Sequence, residues 1–450
     1  MTATAHGLMS SARPGSLAAR PRGGGRAGRN GARGWAGAWG GVFACSWAGN
    51  QFSPLLLMYE NRAHYSAAVV NAFLGVYVLG LIPALLVAGT LSDRHGRRPV
   101  MLAGMGAAVA GSILLAFGPV GPAFLAGGRL LSGCAVGIAM AVGTSWIKEL
   151  SQAPFDPAAD QAAGARRATL AFTLGSGLGA LTAGLIAQWG PLPEVLPFLI
   201  HAVLTALLGL VMLTAPETRA AGSARQSASV GARAAAGGWW QQFRVPSAAH
   251  RRFTRVVAIA APWLFGAAGL AYGYLPTQLR GTTGSWGLVF ATTVTVVAMG
   301  TSSAIQPLAK RLHSAQSGRG LAAGVFLLAA GIALTAVAIG ERSVPAGIAA
   351  NVVTGAGMGV TLVSGLLEVQ RIAPADDLAS LTGMFYSLAY LGFLAAAGVA
   401  ALATVVPVLV ILWVITGLAV VSWLLIVSAS TRHLPSPAAG PPAVEAIASR

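Results

Sequence analysis

Charge is what this sequence has least of. Only 9% of its 450 residues are Asp, Glu, Lys or Arg, while 55% are hydrophobic and the mean hydropathy is +0.69. A soluble domain must wet its whole exterior and typically carries about 25% charged residues, so a soluble fold is excluded. Acids are scarcer still, 12 against 29 Lys and Arg, and none of the twelve stands in the middle of a long apolar run. A membrane-embedded enzyme would need a convergent acid–base or nucleophile set there, and none is written. The two cysteines, Cys45 and Cys134, both fall in apolar runs and read as small packing residues, with no disulfide or metal site implied. G-x-x-x-x-G-K-[ST] and H-E-x-x-H are absent, and the glycine clusters GSGLG (175–179) and GAGMG (355–359) lie inside apolar runs rather than after strands. No cofactor is implied.

What the sequence has in quantity is apolar runs of spanning length. A hydrocarbon core of roughly 30 Å needs about 20 residues of helix, and irregular backbone or open strands cannot face lipid. Twelve runs qualify: about 36–58, 66–90, 100–118, 122–146, 166–189, 195–215, 256–276, 285–308, 320–340, 344–367, 378–402 and 405–429. Glycine, 59 residues in the whole chain, and alanine fill them, which suits close helix packing in lipid. The first run could be mistaken for a secretory leader after its basic start, but it is too long and lacks a small-residue cleavage site, so it is read as the first span. Residues 1–34 are expected to be a disordered basic tail, 35–216 and 256–430 two six-helix bundles, 217–255 a linker and 431–450 a second tail. In the linker, Trp239 and Trp240 with Arg244 are expected at headgroup level.

The net charge of +17 would suit a nucleic-acid binder, but its placement does not. Sorted by loop, 25 of the 29 bases fall on one side, Arg62, Arg280 and Arg342 on the other, and Arg129 inside a span. That asymmetry predicts both termini in the cytoplasm of a cell-membrane protein and assigns no nucleic-acid role. The bilayer itself is the partner that this basicity addresses.

The two halves look like copies. Span 4 from Arg129 and span 10 from Asn351 align at an offset of 222, which sets Gly133, Gly137 and Gly143 on Gly355, Gly359 and Gly365, and Ser132 on Thr354. A weaker echo sets LSDR (91–94) against LAKR (308–311). Parallel repeats of this kind place a substrate site near the midplane where the halves meet.

One short loop concentrates the missing charge: G-T-L-S-D-R-H-G-R-R-P, Gly89 to Pro99. It resembles, at every specified position, the loop 2–3 signature G-x-L-[AS]-D-R-x-G-R-[RK] of the major facilitator superfamily, and the chain is similar to that superfamily across residues 35–430. The resemblance implies an all-α membrane protein of twelve transmembrane helices in two pseudo-symmetric six-helix bundles. It also implies a cytoplasmic latch on Asp93, Arg94, Arg97 and Glu149. Physically, Asp93 at the end of span 2 can face the positive N-terminal end of span 11, Arg97 can hold Asp93 by two bonds, and Arg94 or Arg98 can reach Glu149. Gly89 and Gly96 would allow close approach and a tight turn.

Other resemblances concern coupling and direction. R-L-L-S-G from Arg129 resembles the span-4 motif R-x-x-Q-G of proton-coupled members, with Ser132 in place of Gln. It implies a part for Arg129 in proton coupling or in recognising substrate charge; the alternative is an arginine that only packs. Span 5 resembles the antiporter signature G-x-x-x-G-P-x-x-G-G, with Gly175, Gly179 and Gly184 in register but Ala180 for Pro and Ala183 for one Gly. Small-residue helix packing explains the same glycines. For a titrating group, His201 within span 6 and Glu60 at the outer end of span 1 are the candidates. Substrate contacts are expected from Asn50, Gln51, Trp263, Tyr272, Tyr274, Asn351, Tyr386 and Tyr390. An arginine with no acid around it fits a neutral or anionic amphiphile better than a cation.

These readings combine into a secondary transporter. It is expected to move a small organic molecule by alternating access as a functional monomer, with proton-coupled efflux as the leading mode. An uptake symporter or uniporter is the alternative within transport. A receptor lacks an extramembrane domain of any size, and an enzyme lacks its residues.

Overall fold

The computed structural model describes residues 34–160, 162–219, 245–312, 314, 316–374 and 377–432. Nearly all of the expected tails, most of the linker, and Trp239, Trp240 and Arg244 lie outside the described residues. Those described are overwhelmingly helical, with no strand among them beyond one isolated bridge, Ser314 to Ser317. The helices, in order, are α1 (Gly34–Asn50), α2 (Ala67–His95), α3 (Arg97–Ala116), α4 (Pro122–Leu150), α5 (Ala163–Trp189) and α6 (Leu196–Met212). The second set is α7 (Phe253–Gln278), α8 (Arg280–Ala304), α9 (Arg319–Gly340), α10 (Val344–Ile372), α11 (Leu378–Leu402) and α12 (Val408–Ala429). Each overlaps one of the twelve predicted runs.

Ten of these are long and apolar enough to cross a membrane, and α6 is apolar but shorter. The departure at α1 has a local cause. Pro54 has no N–H to donate to Asn50, so the helix stops there and resumes after a 3-10 turn as Leu56–Arg62. Serine caps start α2 and α10: Ser66 accepts from the Val69 N–H and Ser343 from the Ala346 N–H. Within α4 and α7, π-helical turns at Ala139–Gly143 and Gly269–Tyr274 shift the register of everything beyond them.

The internal repeat is visible in the packing. Gly133 and Gly137 of α4 lie against the α2 backbone at Tyr77 and Leu81, and Gly355 and Gly359 of α10 lie against the α8 backbone at Ala298 and Ser302. A β-carbon at any of the four would collide with a carbonyl, so glycine here sets the helix separation. The polar contacts repeat too. Arg129 Nη1 donates to the Gly49 carbonyl and Asn351 Nδ2 to the Ala271 carbonyl, and both donors and both acceptors stand 222 residues apart.

The halves meet along α5 against α8 and α2 against α11. On the face away from the Gly89–Pro99 loop they are closed. Gln188 Nε2 donates to the Ser285 carbonyl at 2.9 Å, Trp189 meets Trp286 edge-on, and Gly184 sits against Thr292. On the loop's own face, hereafter the basic face, none of the seven described ion pairs joins one half to the other.

Candidate functional site

Between the halves lies a cavity of about 120 Å3, bounded by α1, α2, α4 and α5 on one side and α7, α8, α10 and α11 on the other. Its aromatic wall forms because α11 breaks at Gly392 and Phe393, while the π turn of α7 re-aims Tyr272. There Phe265 stacks on Tyr390 at 4.2 Å and on Phe393 at 5.0 Å. Tyr390 also crosses to the first half, its hydroxyl 3.4 Å from Met140 Sδ. A hydroxyl pair, Ser303 donating to Thr173 at 3.3 Å, joins α8 to α5 at the cavity edge.

Among the described residues, Arg129 is the one charged residue on this lining. Though a cation within a span, it is 1% exposed and has no carboxylate partner. Two carbonyls hold it: Gly49 on Nη1 at 3.1 Å and Phe73 on Nε at 3.4 Å. Tyr77 covers its guanidinium at 4.3 Å, and the ring of Phe52 lies 5.0 Å away.

Of the residues expected to line the cavity, Asn50, Tyr272 and Tyr390 do, with Arg129. Four do not. Gln51 is fully buried one position round α1 and donates to Ser112 Oγ. Asn351 is spent on the Ala271 and Gly347 carbonyls. Trp263 and Tyr386 lie about a turn or less from the lining residues Phe265 and Tyr390, on helix faces that pack against neighbours instead. Tyr274 points past the π turn to the interface beside Leu56–Arg62. His201 is also away from the cavity. Its Nε2–H donates to the Ala44 carbonyl at 2.9 Å, which leaves Nδ1 to accept from Ser112 Oγ at 2.7 Å. Both nitrogens are satisfied by neutral partners in a dry core, so His201 is a packing residue in place of the expected proton carrier. Tyr77, Phe265, Phe393, Ser176 and Gln306 line the cavity without having been expected. The repeat offered one signal, since Asn50 and Tyr272, both on the lining, stand 222 apart.

Glu60, just beyond the end of the first apolar run, lies on the closed face where Leu56–Arg62 meets α7 and α8. It is 8% exposed, and its Oε1 is buried without a hydrogen-bond partner. Burial pushes its carboxyl up to about 7, against a smaller opposing pull from Arg280.

The basic-face charges form a tighter knot than the motif alone predicts. Arg97, at the start of α3 and nearly buried, forks onto Glu149 of α4 with Nη2 at 2.8 Å and Nε at 3.3 Å. It gives Asp93 a single bond at 3.4 Å, because its buried side faces α4; Asp93 is also paired with Arg219 at 3.3 Å. The expected two-bond hold on Asp93 is thus corrected, as is the expected reach of Arg94 or Arg98 to Glu149. Arg94 is exposed, and Arg98 turns to the Leu213 carbonyl. Gly89 faces open space, so close approach does not explain it in this conformation. Gly96 does need to be glycine: its φ is +98°, and a β-carbon would sit 2.7 Å from Glu217. Glu217, in the P-E-T-R ending of span 6 and not among the expected latch residues, caps α3 through the N–H groups of Arg97 and Arg98, both at 2.9 Å.

The second half has its own knot. Arg252 forks onto Glu368 at 2.6 and 2.9 Å, and also holds the Ser430 and Arg432 carbonyls. In the antiporter-like span α5, Gly175 and Gly179 admit α1 at Phe43 and Trp47, and Gly184 admits α8, so all three glycines serve close packing.

Comparison with known proteins agrees with this architecture. The family model described as Major Facilitator Superfamily matches residues 38–397. None of the curated protein sequences matches. Among solved structures, a POT family transporter in complex with 5-aminolevulinic acid superposes with a TM-score of 0.67 at 14% identity, covering 89% of this chain and 96% of that one. The nucleoside transporter NupG gives 0.66 at 13% identity (88% and 98% covered), and a D-xylose-proton symporter 0.65 at 15% (89% and 97%).

Proposed function

This chain belongs to the Major Facilitator Superfamily, and on that premise we propose that it is a proton-coupled exporter of a small organic metabolite in the cell membrane. It acts as a monomer with both termini in the cytoplasm, since both cavity walls come from one chain and the basic face carries the positive-inside bias. The observation that carries the reading is the cavity between the two halves, with the far face shut and no described ion pair joining the halves on the basic face. That arrangement corresponds to the inward-facing stage of alternating access. Asp93 is the moving part of the latch. When the basic face closes, it exchanges Arg219 for the N-terminal end of α11, while the Arg97–Glu149 fork stays as its base. The register of Gly175, Gly179 and Gly184 supports export; Ala180, standing where the antiporter signature has Pro, favours uptake as the second reading.

Glu60 supplies the response to protons, although it lies outside the cavity. With the far face shut its carboxyl sits at about 7; hydrated in the open state it returns to about 4.3. Arg280, Tyr274 and the exposed Arg62 are the charged and titratable groups around it. The raised value means that closure gains most below about pH 4.3 and loses that gain as pH rises through about 7, by about tenfold per unit between. Low external pH therefore favours the shut, inward-facing state.

Vesicles containing the protein under an imposed pH gradient test the whole reading. Addition of a transported compound is expected to evoke proton movement, and orientation-sorted vesicles give the direction. Transport of any compound without proton movement contradicts the coupling. Glu60→Gln is expected to flatten the dependence of transport on external pH between about 4 and 7; an unchanged profile removes Glu60 from the account.

A further inference from the structure

Arg129 presents an unsolved electrostatic problem. A guanidinium has five N–H donors, and only Nε and Nη1 are engaged here, on the Phe73 and Gly49 carbonyls. A buried cation without a counter-charge is expensive, and none of the seven described ion pairs includes it. Among the described residues, no acid lines the cavity either. The rings of Tyr77 and Phe52 lie against the guanidinium at 4.3 and 5.0 Å, so further bonds must come in its plane, from the Nη2 edge. A planar two-oxygen anion matches that edge.

The rest of the cavity narrows the class. The second half lines the same cavity with Phe265, Tyr390 and Phe393, stacked on one another into an aromatic wall against which a ring can pack. The volume of about 120 Å3 lies well below the roughly 300–1,000 Å3 of clefts that take drug-sized ligands. A cationic ligand would face Arg129 with no acid to offset the repulsion. We propose that the cavity takes a small aromatic monocarboxylate, its carboxylate on Arg129 and its ring against Phe265, Tyr390 and Phe393. The inference rests on the transporter reading for its biological sense, but the binding chemistry stands apart from it.

The test uses the purified full chain and four probes: benzoate, benzamide, benzylammonium and acetate. Benzoate is expected to bind at least tenfold tighter than benzamide or acetate, with benzylammonium weakest. Arg129→Gln should erase the preference of benzoate over benzamide, and Arg129→Lys, which keeps the charge but not the planar edge, should keep only part of it. Benzamide or benzylammonium binding as tightly as benzoate, or no binding of benzoate, overturns the proposal on the wild-type protein alone, whatever the variants do. Vesicle uptake of the same probes separates the two readings. Movement of benzylammonium but not benzoate overturns the substrate class and leaves transport standing. Tight binding of benzoate with no movement of any probe upholds the site and counts against transport.

Discussion

Glu368→Gln is expected to destabilise the protein by about 3–5 kcal/mol, the cost of leaving one member of a buried ion pair uncompensated. Arg252 is 0% and Glu368 2% exposed. Their fork joins the start of α7 to α10, and the remaining Arg252 donors reach the carbonyls that follow α12. Glutamine retains the shape and one acceptor oxygen but not the charge, so a dry guanidinium faces a neutral amide. Thermal unfolding in detergent should show a marked fall in Tm. Arg166→Gln is the matched control. Its pair with Asp160 has the same type of groups at 2.8 Å but is 60% and 63% exposed, and its loss should produce no measurable shift. Equal shifts in the two variants would contradict the burial argument.

Asp93→Asn is expected to reduce transport by about ten- to a hundredfold while leaving Tm and membrane insertion unchanged. The range follows from the loss of a hydrogen bond to a charged group, about 1.5–3 kcal/mol, converted at 1.4 kcal/mol per factor of ten. Asp93 is 46% exposed and holds its partners at 3.3 and 3.4 Å, whereas the fold at this corner depends on the buried Arg97–Glu149 fork. Exposure therefore separates the part that can let go from the part that cannot. Asp93→Glu should restore part of the rate. Wild-type turnover in the asparagine variant, measured in vesicles, would remove Asp93 from the latch.

The fold was legible because its causes are one-dimensional. Spanning length, the side on which bases fall and the 222-residue offset are properties of the string, and Gly133 and Gly355 do in space what their register implied. The cavity was only partly legible. A helix in lipid has apolar residues all round, so nothing in the pattern says which face looks at the partner half. Tyr386 and Tyr390 are one turn apart, and only the second lines the cavity. Trp263 and Phe265 divide in the same way, and the π turn at Gly269–Tyr274 moves Tyr272 by a register that sequence periodicity does not show. Long-range polar pairs were also hidden. Glu217 caps a helix 120 residues earlier in the chain, Glu368 meets an arginine 116 residues away, and His201 turns out to hydrogen-bond across α1 and α3.

The central claim is that the two halves tilt about the Arg129 cavity, so that one face opens as the other closes. Pairs of spin labels at exposed positions test it: Leu192 with Ser285 across the far face, and Thr90 with Ala379 across the basic face. On changing pH or adding substrate, the first distance is expected to lengthen in the same fraction of molecules in which the second shortens. Two distances that stay fixed under every condition supporting transport, or that change in the same sense, would contradict it.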